Sequence, residues 1–402
     1  MQILFLTLGR LDNIDSPGIY TDLMREMRDN GHDVYVVSSR ERKLKQPTVL
    51  ENQSGVHILK VRTGNIKKTN IVEKGISTLL IEHNYLKAIK QNLSNIKFDL
   101  VMYSTPPITF EKIVSFIKGR DNAVSYLLLK DIFPQNAVDL NMIRKKSFIH
   151  AFFRRKERQL YKISDFIGTM SPANRDYILS NNPELNPASV EVCPNTITPI
   201  NIDVSLEDKR ALRKKYNIPI SKVIYIYGGN LGKPQGIDYL IECLKKNEQN
   251  TEAFILIVGT GTEFKKLKSY FDKYKPQNAK LINELPKDEY DILANSADVG
   301  LIFLDERFTI PNFPSRLLSY LQAGIPIIAA TDNSTDIGKI AVENRFGLWN
   351  LTSDIDSFIN NMDILNDEKL RKEMGKNGNV FLKENYTSEQ SYKIIMNTIN
   401  RG

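Results

Sequence analysis

Cysteine is nearly absent from this chain: Cys193 and Cys243 are the only two among 402 residues, far apart and without metal-ligand company. That excludes a disulfide framework and a cysteine-based zinc site, and it points to a reducing compartment, by default the cytoplasm. Histidine is scarce too, with four residues. His32 stands at a strand entry and reads as structural, while His57, His83 and His150 read as solvated or packed. No apolar run approaches the roughly 20 residues that a spanning helix needs. The opening Met1–Arg10 has no basic leading region and its apolar run is short, so it reads as a first buried strand, not a signal peptide. No paired-carboxylate DxD cluster is present to hold a divalent ion against a diphosphate. Asp12 and Asp15 are merely local, and no metal or other cofactor is expected.

What is there describes a globular protein. A hydrophobic fraction of 41% with 25% charged residues is enough for a sizeable core. At roughly 100–200 residues per domain, the length suggests two domains. The net charge of +8 suits nucleic acid, an anionic membrane face or phosphate-bearing substrates. No RNP-type aromatic motif, zinc-finger spacing or helix-turn-helix pattern accompanies it, so nucleic acid is not expected as a partner.

Short apolar runs alternate with helical patterns, which predicts parallel sheets with crossover helices. In the first half, strands are expected at Ile3–Leu8, Asp33–Ser38, Val56–Val61, Asp99–Tyr103, Ala123–Leu129 and Phe166–Met170. The alternation breaks between Val192 and Ser221, then restarts with strands at Val223–Tyr227, Ala253–Val258, Ala279–Ile282, Val299–Phe303 and Pro326–Ala329. A last helical stretch runs from about Asp367 to Ile399. The expected fold is therefore α/β, with two Rossmann-like domains facing across a cleft: 1–200, 201–385, and a terminal helix at 386–402 that crosses back.

Open α/β sheets bind ligands beyond the carboxyl ends of their strands. Three such places in the second half share one chemistry. Gly228-Gly229-Asn230-Leu231-Gly232-Lys233 offers glycine turns, amide N–H groups and a cation. Gly259-Thr260-Gly261 leads into a helix expected from Glu263, and a helix N-terminus with a glycine turn makes an anion site. Pro314-Ser315-Arg316-Leu317 opens another, with Ser315 as its expected N-cap and Arg316 facing the same ligand. Glu284, at the end of the intervening strand, stands where a ribose-binding acid would. The incomplete glycine fingerprint suits a nucleoside diphosphate better than a dinucleotide.

The segments Tyr227–Ile241, Val258–Glu263 and Pro314–Ile328 resemble the GT-B glycosyltransferases of family 4. The resemblance is greatest to the bacterial O-antigen and capsule branch that includes N-acetyl-fucosamine transferases. It extends to Gly31–Val37 and to Val192-Cys-Pro-Asn195. It implies that Asn230, Gly232 and Lys233 contact a donor diphosphate, that Gly259, Thr260 and Gly261 line the nucleotide, and that Ser315, Arg316 and Leu317 bind phosphate. Gly9 and Gly18 of the first half are implied to approach the donor. The chain departs from the family pattern at Pro311 and Ser319, where many members carry Glu-x7-Glu, and at Gln235, where many carry Lys. The resemblance further implies transfer of an N-acetylated or 6-deoxy sugar from a UDP-sugar, with retention, to a polyprenyl-diphosphate-linked saccharide at the inner face of the cell membrane.

Asp131 follows the strand Ala123–Leu129 and is placed to orient an acceptor hydroxyl; the plainer reading is a loop Asp capping its turn. The segment Arg144–Arg158 is basic. As a helix it aligns Ile149, Phe153 and Leu160 on one side and Arg154, Arg158 and Lys162 on another, a pattern suited to an anionic membrane surface. An epimerase of UDP-hexosamines with the same fold, and a non-catalytic assembly scaffold, are the alternative readings. The few carboxylates and histidines in the first-half loops weigh against the epimerase.

Overall fold

The computed structural model describes residues 1–66, 71–200 and 205–401. The chain divides into two compact units, Met1–Thr198 with Thr387–Gly402, and Pro199–Tyr386.

The amino-terminal unit contains strands β1 (Gln2–Leu6), β2 (Asp33–Glu41), β3 (Val49–Gln53), β4 (Val56–Thr63), β5 (Leu100–Ser104), β6 (Val124–Leu129), β7 (Phe166–Thr169) and β8 (Val190–Val192). Its helices are α1 (Ile19–Asp29), α2 (Ile71–Asn92), α3 (Glu111–Asp121), α4 (Gln135–Asp139), α5 (Phe148–Ile163) and α6 (Pro172–Asn181). The sheet order is β3-β4-β2-β1-β5-β6-β7-β8, parallel except where β3 joins β4. β3 escaped the apolar pattern because it is an edge strand whose side chains are never fully buried. Its hairpin turns through Ser54 and Gly55, both at positive φ, as a two-residue loop with a tight twist requires.

The carboxy-terminal unit contains β9 (Val223–Asn230), β10 (Ala253–Thr260), β11 (Ala279–Ile282), β12 (Val299–Phe303), β13 (Ile327–Thr331) and β14 (Gly347–Leu351). The helices around them are α7 (Leu206–Lys215), α8 (Ile237–Asn247), α9 (Phe264–Tyr274), α10 (Lys287–Asn295), α11 (Arg316–Gln322), α12 (Ile337–Glu343), α13 (Ile355–Ile364) and α14 (Glu368–Asn385). This sheet is wholly parallel, in the order β11-β10-β9-β12-β13-β14. Its central strands β12 and β13 are buried along their whole length, because helices cover both faces of a parallel sheet. The switch point lies between β9 and β12, where open sheets of this kind hold their ligands.

The last helical stretch is not one helix. It breaks at Tyr386, and α15 (Ser388–Ile399) starts afresh, with the Thr387 side chain accepting from Gln390 N. α15 belongs to the amino-terminal unit. Ile395 is fully buried in a cluster with Leu23, Met24 and Met27, and the Tyr392 hydroxyl lies 3.1 Å from His32 Nε2. Cys193 and Cys243 are both free and buried, one in each core.

Candidate functional site

At the carboxyl edge of the second sheet, the chain after β9 lies directly on the chain after β10. Leu231 N donates to Thr260 O at 2.8 Å, and Glu263 N donates to Leu231 O at 2.9 Å. Gly259 must be glycine here: a Cβ would stand 1.8 Å from the Gly229 carbonyl oxygen. Gly261 is pressed likewise onto the Leu231 backbone. The strand continues through Gly259 and Thr260, and α9 begins only at Phe264. Gly259 and Thr260 therefore end a strand packed on its neighbour, and α9 starts one residue past the Glu263 expected for it. The β-ladder registers persist to Thr260↔Asn230 and hold the backbone extended.

The loop after β9 is braced from inside. Gln235 Oε1 accepts from Gly232 N at 3.0 Å and from Asn230 Nδ2 at 3.1 Å. Gln235 N and Gly236 N turn back onto Gly232 O and Lys233 O. The N–H groups of Leu231, Gly232, Gln235 and Gly236 are therefore taken within the protein, contrary to the expectation that the loop as a whole presents its amides outward. Gln235 thus holds the loop's shape. Lys233 is exposed and makes no ion pair among the described residues.

The stretch after β12 reaches this loop as well. Asp305 N donates to Pro234 O at 2.9 Å. At the start of α11, the Arg316 guanidinium carbon lies 4.2 Å from the centre of the Tyr227 ring. Its Nη2 is 3.7 Å from where a Cβ of Gly229 would stand. Tyr320, one turn on, anchors the helix: its hydroxyl donates to Ile226 O and Leu301 O and lies 3.2 Å from Gly228 N, which donates to it. Tyr290 packs against Gly228, leaving no room there for a side chain, and burial pushes its phenol up to about 12.

Arg316 Nη1 is the telling atom. It is buried and has no hydrogen-bond partner among the described residues. A donor on a permanent cation, desolvated and unpaired, is unfavourable unless an acceptor arrives. Ser315 does not cap the helix: its side chain makes no capping bond, and its own backbone is already helical. Leu317 is fully buried and serves packing. Glu284 is exposed two residues past β11, level with Thr260 by extension of the Val258↔Ile282 register. Pro311 is buried and Ser319 half-buried.

In the amino-terminal unit, Gly9 N donates to Thr7 Oγ1, and Gly18 precedes α1 with its N–H taken by the buried Asp22 carboxylate at 2.9 Å. The loop after β6 is fixed by Thr105 Oγ1, which accepts from Lys130 N and Asp131 N. The Asp131 carboxylate is exposed and accepts no hydrogen bond among the described residues, so it does not cap its turn. The protein mass around it still disfavours its charge and pushes the carboxyl up to about 6. Beside it, Lys130 Nζ donates to Cys193 O at 3.1 Å, and burial lowers its ammonium to about 8. The sequence reading passed over Tyr290 and Tyr320. Their only trace there is the glycines at 228 and 300 against which their rings pack.

The basic face expected on α5 is not the one formed. Arg154 turns inward to Glu157, Asn181 O and Asn182 Oδ1, and Arg158 lies 3.7 Å from Glu184. Ile149, expected to align with Leu160, is 59% exposed, whereas Leu160 is buried. No helix among the described residues is long and apolar enough to cross a membrane.

Comparison with known proteins places these features. Residues 208–381 match the family "Glycosyl transferases group 1". The chain is 24% identical over 272 residues to the probable glycosyltransferase WbjE of Pseudomonas aeruginosa, covering 66% of this chain and 65% of that relative's length. Sucrose-phosphate synthase from Thermosynechococcus elongatus superposes with a TM-score of 0.76 at 16% identity, over 100% of this chain and 98% of the other. Anabaena HepE, solved in complex with UDP-glucose, gives 0.71 at 13%, with 100% of both chains covered. The fold is thus α/β with two mainly parallel sheets, like that of these solved structures, and residues 208–381 match the glycosyl transferases group 1 model.

Proposed function

We propose that this protein is a glycosyltransferase that moves a sugar from a UDP-sugar to a lipid-linked saccharide during assembly of a bacterial surface polysaccharide. The observation that carries the reading is the unpartnered Arg316 Nη1, held against Tyr227 beside Gly229 at the sheet's switch point. A diphosphate oxygen is the acceptor it lacks. Lys233 supplies a second, unpaired cation on the adjoining loop. Departure of a nucleoside diphosphate develops negative charge, and fixed cations in a desolvated place stabilise that charge most effectively. On this reading the two side chains act without a metal or other cofactor. The presence of UDP-glucose in the HepE complex supports the donor class, and the WbjE relative, a probable glycosyltransferase, supports the type of reaction.

Asp131 takes the acceptor side, orienting the attacking hydroxyl as a carboxylate. The family-4, N-acetyl-fucosamine-transferase-like assignment, retention of configuration, an N-acetylated or 6-deoxy sugar, the polyprenyl-diphosphate acceptor and residence at the cytoplasmic face of the membrane complete the proposal.

A thermal-shift panel of nucleotides tests the donor site, because a ligand that binds only the native state raises its melting temperature. UDP should raise it and NAD should not. Indifference to UDP and to every UDP-sugar would sink the reading. Turnover of a UDP-sugar without any acceptor would favour an epimerase instead.

A further inference from the structure

A hollow of about 360 Å³ opens at the opposite edge of the carboxy-terminal sheet. The residues at the starts of β9, β12 and β13, Val223, Asp298 and Pro326, line it. The donor loop follows β9, so the eight residues of that strand, roughly 25 Å of chain, separate the two places. A glycine contact brings α14 down over the hollow. A Cβ at Gly375 would stand 1.9 Å from Gly324 O, and Gly324 itself lines the hollow. One turn earlier on α14, Arg371 and Lys372 line it too.

Two guanidinium groups of this lining are anchored on one side only. Arg213 Nε donates to Ser296 O at 3.1 Å, and its Nη2 donates to the same oxygen and to Asp298 Oδ2. Arg371 Nη1 donates to Leu365 O at 2.5 Å. Nη1 of Arg213 and Nη2 of Arg371 make no hydrogen bond among the described residues. Both carboxylates of the lining are already engaged. Asp298 Oδ2 also accepts from Ile224 N at 2.8 Å, and Glu368 pairs with Lys372. Lys222 Nζ donates to Asn278 Oδ1, a neutral acceptor. Arg371 and Lys222 thus have no carboxylate partner among the described residues, and the four cations of the lining outnumber its carboxylates by two. Beside them Ile220, 60% exposed, and Ile325 add an apolar wall.

A guanidinium fixed along one edge offers the other to phosphate oxygens, with its orientation set before a ligand arrives. The volume is that of a small-molecule site. A phosphate monoester carries nearly two negative charges at neutral pH, which matches the excess. The geometry points to a second ligand site here, for a small phosphate monoester whose phosphate lies between Arg213 and Arg371 and whose apolar part rests on Ile220. None of its residues belongs to the donor site, so it stands independently of the function proposed above.

The test is calorimetric titration of the full chain, with UDP held at saturation so that the donor edge is filled. Phenyl phosphate and inorganic phosphate should both bind, and phenol should not. Phenyl phosphate should bind several-fold more tightly, because its ring covers apolar surface. Arg371→Ala should weaken both about ten- to a hundredfold, the range for a hydrogen bond to a charged group. Ile220→Ser alters an exposed side chain and should leave the fold intact. It should bring phenyl phosphate down to the affinity of inorganic phosphate and leave inorganic phosphate unchanged. Arg316→Ala should bind phenyl phosphate as the UDP-filled wild type does. Melting temperatures without ligand report whether each variant folds. No saturable binding by the wild type, or undiminished binding of phenyl phosphate in both Arg371→Ala and Ile220→Ser, overturns the site. Loss of binding in Arg316→Ala with retention in Arg371→Ala would put the phosphate at the donor edge and overturn it as well. A wild type that binds phenyl phosphate but does not answer to UDP would instead sink the donor reading and leave this site standing.

Discussion

The guanidinium carbon of Arg316 sits over the ring of Tyr227, 4.2 Å from its centroid, and Nη1 is buried without an acceptor among the described residues. A planar cation stacked on an aromatic face is held in orientation before any ligand arrives, so less rotamer freedom is lost on binding. The Tyr320 hydroxyl, fastened to two strands, keeps the helix start in place behind it.

Arg316→Ala should therefore weaken UDP binding by about 1.5–3 kcal/mol, the range for a hydrogen bond to a charged group, or about ten- to a hundredfold in Kd. Arg316→Lys should restore only part of it, since an ammonium neither stacks nor forks. Calorimetric titration of UDP into the two variants measures both. Equal affinity in wild type and Arg316→Ala would remove Arg316 from the site.

Gly259→Ala places a methyl group 1.8 Å from the Gly229 carbonyl oxygen. One of two paired strand ends must shift, which should lower stability by at least about 1–3 kcal/mol. Thermal denaturation should show a fall of a few degrees or more, and the UDP response should shrink with it. Gly75→Ala, where nothing lies near the added carbon, is the matched control.

The raised Asp131 carboxyl makes a signed prediction. Its value rises from 3.8 to about 6 on folding, so the native state holds its proton more tightly than the unfolded chain. Its contribution to stability is fully present below pH 3.8 and is lost as pH rises through about 6. If the carboxylate orients the acceptor, kcat should climb through the same pH window in wild type. Asp131→Asn should lower kcat, flatten that limb and slightly raise stability at neutral pH. A profile with an unchanged limb near pH 6 in Asp131→Asn would assign the titration to another group.

Ile395→Ala removes a fully buried side chain where α15 closes the first core. A loss of about 2–5 kcal/mol is expected from the cavity and the lost burial. Denaturant unfolding should report it, while the UDP affinity of the carboxy-terminal unit should stay as in wild type. A matching loss of UDP affinity would show that this core shapes the donor site.

Much of the architecture was written locally. Apolar runs at β1, β5, β9, β10, β12 and β13 are buried on both faces, so alternating strand and helix periods sufficed to announce parallel sheets. Glycines at the ends of β9 and β10 marked where the two chains press together, because backbone that must approach backbone admits no Cβ. Arg316 was visible as a cation at a helix start. Its position over Tyr227 and the anchoring role of Tyr320 were not, because each joins residues that neighbour only in space. The partners of the terminal helix were equally hidden: Ile395 finds its burial against Leu23, Met24 and Met27, and Tyr392 its hydrogen bond at His32. On α5 the helical period was plain, but which stripe faced inward depended on the acceptors Glu157 and Asn182 that captured Arg154. Periodicity and steric exclusion act along the chain and can be read there; the partner that satisfies a buried charge is decided only when distant segments meet.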